Sequence, residues 1–85
     1  MFDKLKQIKK LREIQKSLGK ERADVEKSGI RVTINGNIEI EDIRLNPELD
    51  IDKQAKILKD CINDAVKKMQ YVVAQKMSQF GNFEL

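Results

Sequence analysis

The chain has 85 residues, of which 17 are Lys or Arg, 14 are Asp or Glu and one is Cys, with no His and a formal net charge of +3. A chain of this length forms one domain, residues 1–85, and buries only about 60–65% of its unfolded surface, so its core needs outside support. One Cys and no His exclude an internal disulfide and a Cys/His metal site. We therefore expect no metal and no cofactor, and a homodimer is the simplest remaining support.

The charge is sorted along the chain. Residues 1–22 carry eight Lys/Arg against three acids, a net +5, whereas residues 23–52 carry three against eight, a net −5. Residues 53–85 carry six against three, a net +3. A basic arm joined to an acidic middle predicts that one surface of the protein is suited to polyanions.

Residues 2–20 have the periodicity of a helix that ends near Gly19. Its apolar residues recur at intervals of three and four, which we interpret as one side of the helix at about 100° per residue. They are Leu5, Ile8, Leu11, Ile14 and Leu18. The opposite side is basic and carries Lys6, Lys9, Lys10, Arg12, Lys16 and Lys20.

The period changes to two after Ser28-Gly29. Alternation of Ile30, Val32 and Ile34 with polar residues predicts a half-buried strand. Residues 23–27 are a candidate for a further strand before it. Asn35-Gly36 then predicts a hairpin with a type I′ turn, because that turn needs a positive φ at both central residues.

The return strand of this hairpin passes through Ile38 and Ile40. Asp42 then occupies a position where an apolar residue is due, and Ile43 resumes the alternation one position out of step. A slip of one residue exchanges the two faces of a strand, so we predict a bulge or bend near Glu41-Asp42.

A second helix is predicted from about residue 52 to 80, after a turn at Asn46-Pro47 and with Asp50 or Asp52 as its cap. Its apolar stripe is about 42 Å long, and strands of about 17–20 Å cannot cover that length. The surplus needs the first helix, another subunit or both. The apolar stripe includes Leu58, Ile62, Ala65, Val66, Met69, Val72, Val73, Met77 and Phe80.

Taken together, the segments resemble the YbaB/EbfC family of bacterial nucleoid-associated proteins. The resemblance runs over nearly the whole chain and has no catalytic signature. It is carried by Met1-Phe2 and the Lys/Gln-rich helix, the strand Ile30 to Gly36 with its return through Ile38 and Ile40, Leu45-Asn46-Pro47-Glu48-Leu49, Ile62 to Lys68, and Gln75-Lys76-Met77.

The resemblance implies an α+β fold, with an α-β-β-β-α protomer, a small antiparallel sheet, a long C-terminal helix and an intertwined, tweezer-like homodimer. It also implies binding of duplex DNA with little sequence preference, in the nucleoid of the bacterial cytoplasm. For the dimer interface we expect six residues of the apolar stripe, namely Leu58, Ile62, Val66, Met69, Val73 and Met77.

The basic side of the first helix is the candidate DNA-binding site. Each Lys or Arg beside a phosphate releases condensed counterions, and Lys lacks the planar fork with which Arg reads guanine. The expected contacts are therefore to the DNA backbone, through Lys6, Lys9, Lys10, Arg12, Lys16 and Lys20. The alternative for this side is a solvated face that keeps a small protein soluble.

Other polar residues give no sign of catalysis. Asp60 and Asp64 lie on a polar face among lysines, where solvated charge is the expected state, and no phosphate loop or acid/base set is present. We therefore expect no enzyme and no small-molecule substrate. Cys61 is expected to be a small buried hydrophobe, Tyr71 an exposed or interface residue, and Lys76 a side chain that snorkels or ends the stripe.

Two further classes of function stay open. The exposed apolar surface of the second helix fits a protein–protein interaction module without direct DNA binding. A basic amphipathic helix also fits a peripheral membrane protein, but Phe2 is its only aromatic anchor and its apolar stripe is needed by the core. No run reaches the ~20 apolar residues of a membrane span and no signal peptide is evident, so we expect a cytoplasmic protein without a membrane partner.

Overall fold

The computed structural model describes the backbone of residues 2–79 and the side chains of residues 4–79. Helix α1 spans Phe2–Gly19 and helix α2 spans Ile51–Gln79. Between them lie strands β1 (Arg22–Lys27), β2 (Ile30–Asn35) and β3 (Ile40–Arg44), which form one antiparallel sheet in the order β1-β2-β3. The predicted α-β-β-β-α order and α+β class are confirmed, including the strand at residues 23–27. The predicted stripe residue Phe80 lies outside the described residues.

The type I′ turn lies at Ser28-Gly29 and not at Asn35-Gly36, where the sequence placed it. Ser28 (φ 50°) and Gly29 (φ 82°) both have positive φ and close the Lys27–Ile30 pair of the β1–β2 hairpin. Such a turn matches the twist of the two strands it joins. Ser28-Gly29 therefore connects β1 to β2 and is more than the point at which the period of the sequence changes.

The β2–β3 hairpin has a three-residue loop. The Ile38 amide donates to the Asn35 carbonyl at 3.0 Å, the Asn35 amide donates to the Glu39 carbonyl at 3.0 Å, and Ile38 takes the positive φ of 61°. Gly36 has no positive φ. Its lack of a side chain serves a close approach instead, because a Cβ there would overlap the Leu18 carbonyl at the end of α1.

The predicted bulge is confirmed. Thr33 pairs with Asp42 and Ile34 pairs with Ile40, so Glu41 is the extra residue on β3. A bulge re-aims side chains and bends the strand that contains it. Here it lets Ile40 and Ile43 both oppose core-facing residues of β2, while two acids lie between them.

The core lies between the sheet and α2. Its fully buried members on β2 are Ile30, Val32 and Ile34, which pack with Ala23 of β1 and with Cys61, Ala65 and Met69 of α2. Helix α2 packs across β1 and β2. Strand β3 contributes no residue to this core, and Ile40 and Ile43 remain 37% and 41% exposed although they belong to the same face.

Asn46 joins three elements at one end of the sheet. Its amide nitrogen donates to the Ser28 carbonyl at 2.9 Å, and its backbone N–H donates to Gln54 Oε1 in α2 at 2.8 Å. The backbone N–H of Lys53 donates to Asp50 Oδ1 at 2.8 Å, so Asp50, and not Asp52, caps α2. These bonds fix the position at which α2 starts along the sheet.

The apolar residues of α1 do not share one side, contrary to the sequence interpretation. Only Ile14 and Leu18 are buried, whereas Leu5, Ile8 and Leu11 are exposed. Steps of three residues at about 100° each fall short of a full turn by about 60°, so the stripe rotates by about 180° between Leu5 and Ile14. The described chain is 57 Å long, against about 43 Å for α2, which is consistent with α1 extending past the end of the sheet.

Candidate nucleic-acid interface

Helix α1 and the residue after it carry a row of exposed cations. Within residues 4–20 there are seven Lys/Arg and a single acid, Glu13, a net +6. All seven are exposed. The six predicted DNA-binding residues are among them. Lys6, Lys9, Lys10, Arg12 and Lys16 lie on the helix, and Lys20 lies in the turn that follows it.

These cations differ from those of the sheet in their pairing. Every Lys or Arg between residues 22 and 44 takes part in an ion pair, namely Arg22 with Glu41, Lys27 with Asp64, Arg31 with Asp24 and Arg44 with Asp42. Among the side chains of residues 4–79, no cation from Lys4 to Lys20 takes part in one. The positive charge of α1 is thus available to an external anion, while that of the sheet is already neutralised.

The ion pairs of the sheet also shift the pKa values of their side chains. A hydrogen bond from the Thr33 hydroxyl and another from Arg31 hold the pKa of Asp24 below its ordinary value. The hydrogen bond between Lys27 and Asp64 raises the pKa of Lys27 and lowers that of Asp64. Each shift favours the charged form, so these groups stay ionised and paired at neutral pH.

The polar side of α2 is a weaker candidate for binding an anion. Between residues 52 and 68 it carries five lysines against three aspartates, a net +2, compared with +6 on α1. One of these lysines, Lys68, donates to the Asp24 carbonyl at 3.2 Å, and Asp64 is paired with Lys27. A polyanion placed along α2 would meet acids among the lysines, which weakens its attraction.

A set of polar contacts that no local sequence pattern predicts joins α1 to the sheet. Arg22 Nη1 donates to the carbonyls of Gly19 and Glu21, and its Nε pairs with Glu41 on the bulge of β3. The nearly buried Asn35 side chain donates to Glu41 Oε2 at 3.1 Å. We call Arg22, Asn35 and Glu41 the α1 joint. No periodicity marks these residues, because they meet only through strand pairing and the bulge.

The residues predicted for a dimer interface divide into three groups by burial. Met69 is fully buried in the protomer's own core and has no surface to offer a partner. Leu58, Ile62, Val66 and Val73 are half-buried, and Met77 is exposed. Within the protomer, the first four pack at the margin of the core and keep part of their apolar surface in solvent.

The remaining singled-out residues have structural roles. Cys61 is fully buried against the Ile30 carbonyl, and burial raises the pKa of its thiol. Tyr71 is exposed and accepts a hydrogen bond from Gln75 at 3.0 Å. Helix α2 continues past Lys76, whose ammonium group lies 3.1 Å from Glu21 and ties α2 to the segment after α1.

The described residues contain no group of three or more His, Cys, Asp or Glu side chains that could hold a metal ion. Neither helix, over the part of the chain that the structure describes, is long and apolar enough to cross a membrane.

Comparison with known proteins identifies the family of the chain. A curated protein of Caldicellulosiruptor saccharolyticus, named nucleoid-associated protein, is 29% identical over 58 residues, which cover 64% of this chain and 51% of that protein. The chain therefore aligns with about half the length of this relative. The family match is wider, because the YbaB/EbfC DNA-binding family matches residues 1–82 of the 85. With nearly its whole length matched, the chain belongs to the YbaB/EbfC DNA-binding family.

Proposed function

We propose that this protein binds duplex DNA of the nucleoid through the exposed cations of α1, with little sequence preference and as a homodimer. The observation that carries the proposal is the difference in pairing: the cations of residues 4–20 have no ion-pair partner within residues 4–79, whereas those of residues 22–44 all have one. Family membership supports the choice of DNA as the polyanion.

Backbone contact is the expected mode of binding. Six of the seven cations are Lys, a compact point charge that neutralises phosphate without reading base edges. Only Arg12 carries the planar fork that can bind guanine with two hydrogen bonds. Binding energy that comes from released counterions does not depend on sequence, so the same helix serves many sites on a duplex.

The homodimer is supported by apolar surface that the protomer leaves open. Ile40 and Ile43 of β3 belong to the core face of the sheet but are not covered by α2. Half-buried residues of the α2 stripe, such as Ile62 and Val66, are also partly open. A small domain gains stability by burying such surface against a second copy. Met69 would support this interface from beneath, within each core.

A titration of a labelled duplex tests the DNA proposal. Fluorescence anisotropy with a mixed-sequence duplex of about 30 base pairs, measured between about 50 and 200 mM salt, should show affinity that falls steeply with salt. A second duplex of unrelated sequence should bind with nearly the same affinity. No binding at the lowest salt would refute the proposal and leave α1 as a solvated face. Strong preference for one duplex would refute the backbone mode.

The solution mass tests the dimer. Light scattering should give twice the chain mass for the wild type, and Ile43→Glu should give the monomer, because a carboxylate would then lie on the uncovered sheet face. Ile51→Glu is the matched control, since Ile51 is 83% exposed at the start of α2. A monomeric wild type would favour the second candidate function, in which the uncovered apolar residues bind a different protein.

A further inference from the structure

We infer that Glu41, an acid of β3 that is not among the proposed DNA-binding residues, is a positioning residue that sets the direction in which α1 projects. The inference rests on the proposed function where it concerns DNA, and on the structure alone where it concerns the direction of α1. Glu41 accepts from Arg22, which also binds the carbonyl end of α1, and from Asn35 on β2. One carboxylate therefore links the helix end to two strands.

The attachment of α1 to the rest of the protomer is narrow. Of its described apolar side chains only Ile14 and Leu18, in the last two turns, are buried. The carbonyl of Leu18 lies against Gly36, so the end of the helix is held closely at the β2–β3 loop. Among residues 4–13 no side chain is buried, so this part of the helix has no packed face that fixes its direction. Its orientation must then depend on the polar contacts at its C-terminal end.

The bulge gives Glu41 its place in this joint. It is the extra residue on β3, between the pairs Thr33–Asp42 and Ile34–Ile40. Its two carboxylate oxygens are used separately, Oε1 by Arg22 and Oε2 by Asn35 at 3.1 Å. Asn35 is nearly buried and is itself fixed, because its Oδ1 accepts from the backbone amide of Asn37 at 2.9 Å. The carboxylate is thus anchored on a rigid part of the hairpin.

The length of α1 magnifies a small change at the joint. Eighteen residues give a rod of about 27 Å, so a rotation of about 10° at Gly19 moves the far end by about 5 Å. A shift of that size is larger than the distance between successive phosphates along the duplex axis, about 3.4 Å per strand. Cations spread over the helix then move out of register with the phosphates, although none of them has been removed.

For Glu41→Ala, the positioning role predicts a change in DNA affinity opposite to the change that charge alone predicts. Glu41→Ala removes a negative charge and frees Arg22, and both changes would strengthen attraction to DNA if charge alone mattered. If Glu41 positions α1, the variant should instead bind the duplex more weakly, by about eightfold at about 0.1 M salt for each phosphate that the helix no longer reaches. Asp42→Ala is the matched control. It makes the same charge change on the next residue, whose ion pair is with exposed Arg44 at 3.7 Å.

A distance measurement on the free protein tests the same inference without DNA. Spin labels at Lys10→Cys in α1 and Lys53→Cys in α2 report the direction of α1, with labelled chains diluted into unlabelled protein so that distances within one protomer dominate. Buried Cys61, whose thiol pKa is raised, stays unlabelled. We expect a single distance that broadens or shifts in Glu41→Ala and in Arg22→Ala and is unchanged in Asp42→Ala.

The outcomes separate the two proposals. Weaker DNA binding by Glu41→Ala than by Asp42→Ala, with a changed distance and intact thermal unfolding, supports the positioning role. Binding by Glu41→Ala as tight as that of Asp42→Ala, with an unchanged distance, overturns it. If the wild type does not bind the duplex, the proposed function fails, and the distance measurement alone then decides whether Glu41 positions α1. Should Glu41→Ala fail to fold, Arg22→Ala gives the same distance test.

Discussion

Removing two lysines from α1 should change the salt dependence of DNA binding by a defined amount. Lys9 and Lys16 are two turns apart on one side of the helix, are both exposed and have no ion-pair partner among residues 4–79. Each neutralised phosphate contributes about 0.9 to the slope of log K against log salt, so removing two lysines lowers the slope by about 1.8 for each bound helix. At about 0.1 M salt the same change weakens binding about 60-fold for each bound helix.

The assay is fluorescence anisotropy of Lys9→Ala/Lys16→Ala against wild type over the same salt series. Lys56→Ala/Lys59→Ala is the control pair, because it removes two exposed lysines from α2 and changes the net charge equally. We expect the control to keep the wild-type slope. An unchanged slope in the α1 variant, or an equal fall in the control, would refute the assignment of the phosphate-binding site to α1.

Three further predictions concern the fold. Ile34→Ala should lower the free energy of unfolding by about 2–5 kcal/mol in urea denaturation, whereas Ile51→Ala should change it little, because the first side chain is fully buried and the second is 83% exposed. Gly36→Ala should cost about 1–3 kcal/mol in the same assay, because the new methyl group overlaps the Leu18 carbonyl; a neutral result would mean that the end of α1 is not held there. The depressed pKa of Asp24 stabilises the fold above the ordinary value of 3.8, and this stabilisation disappears as pH falls through the folded pKa, so Asp24→Asn should lose less stability than wild type on going from about pH 7 to about pH 3.

Local patterns predicted the elements of this fold because each pattern is long or has a direct physical cause. The alternation over Ile30–Asn35 and the slip at Glu41 are properties of a few adjacent residues, so strand and bulge were both predictable. The same holds for the two helices, whose predicted bounds differ from those of the structure by no more than one residue. The exposed cations of α1 were likewise predictable from their number alone.

Contacts between distant residues account for what the sequence did not predict. Asn35-Gly36 resembles a type I′ turn locally, but Gly36 is needed for its contact with Leu18, which is 18 residues away. The rotation of the apolar residues around α1 follows from their spacing in the sequence. Which of them are buried depends on where the helix leaves the sheet, and the spacing does not show that. The joint of Arg22 with Glu41 could not be predicted, because those residues meet across β2.

In the proposed mode of binding, the pairing of charges gives the protein one preferred orientation on DNA without any base contact. Residues 22–44 carry four cations and five acids, and all four cations are in ion pairs, so this part of the surface offers phosphates only paired or negative groups. Residues 4–20 carry a net +6 with no such pairs in the described region. If the sheet faced the DNA, its acids would lie close to the phosphates and repel them. If α1 faced the DNA, cations would lie close to the phosphates instead. The acids of the sheet therefore have two roles in our proposal: they neutralise the cations of the sheet, and through Glu41 they hold the helix whose cations lack ion-pair partners among residues 4–79.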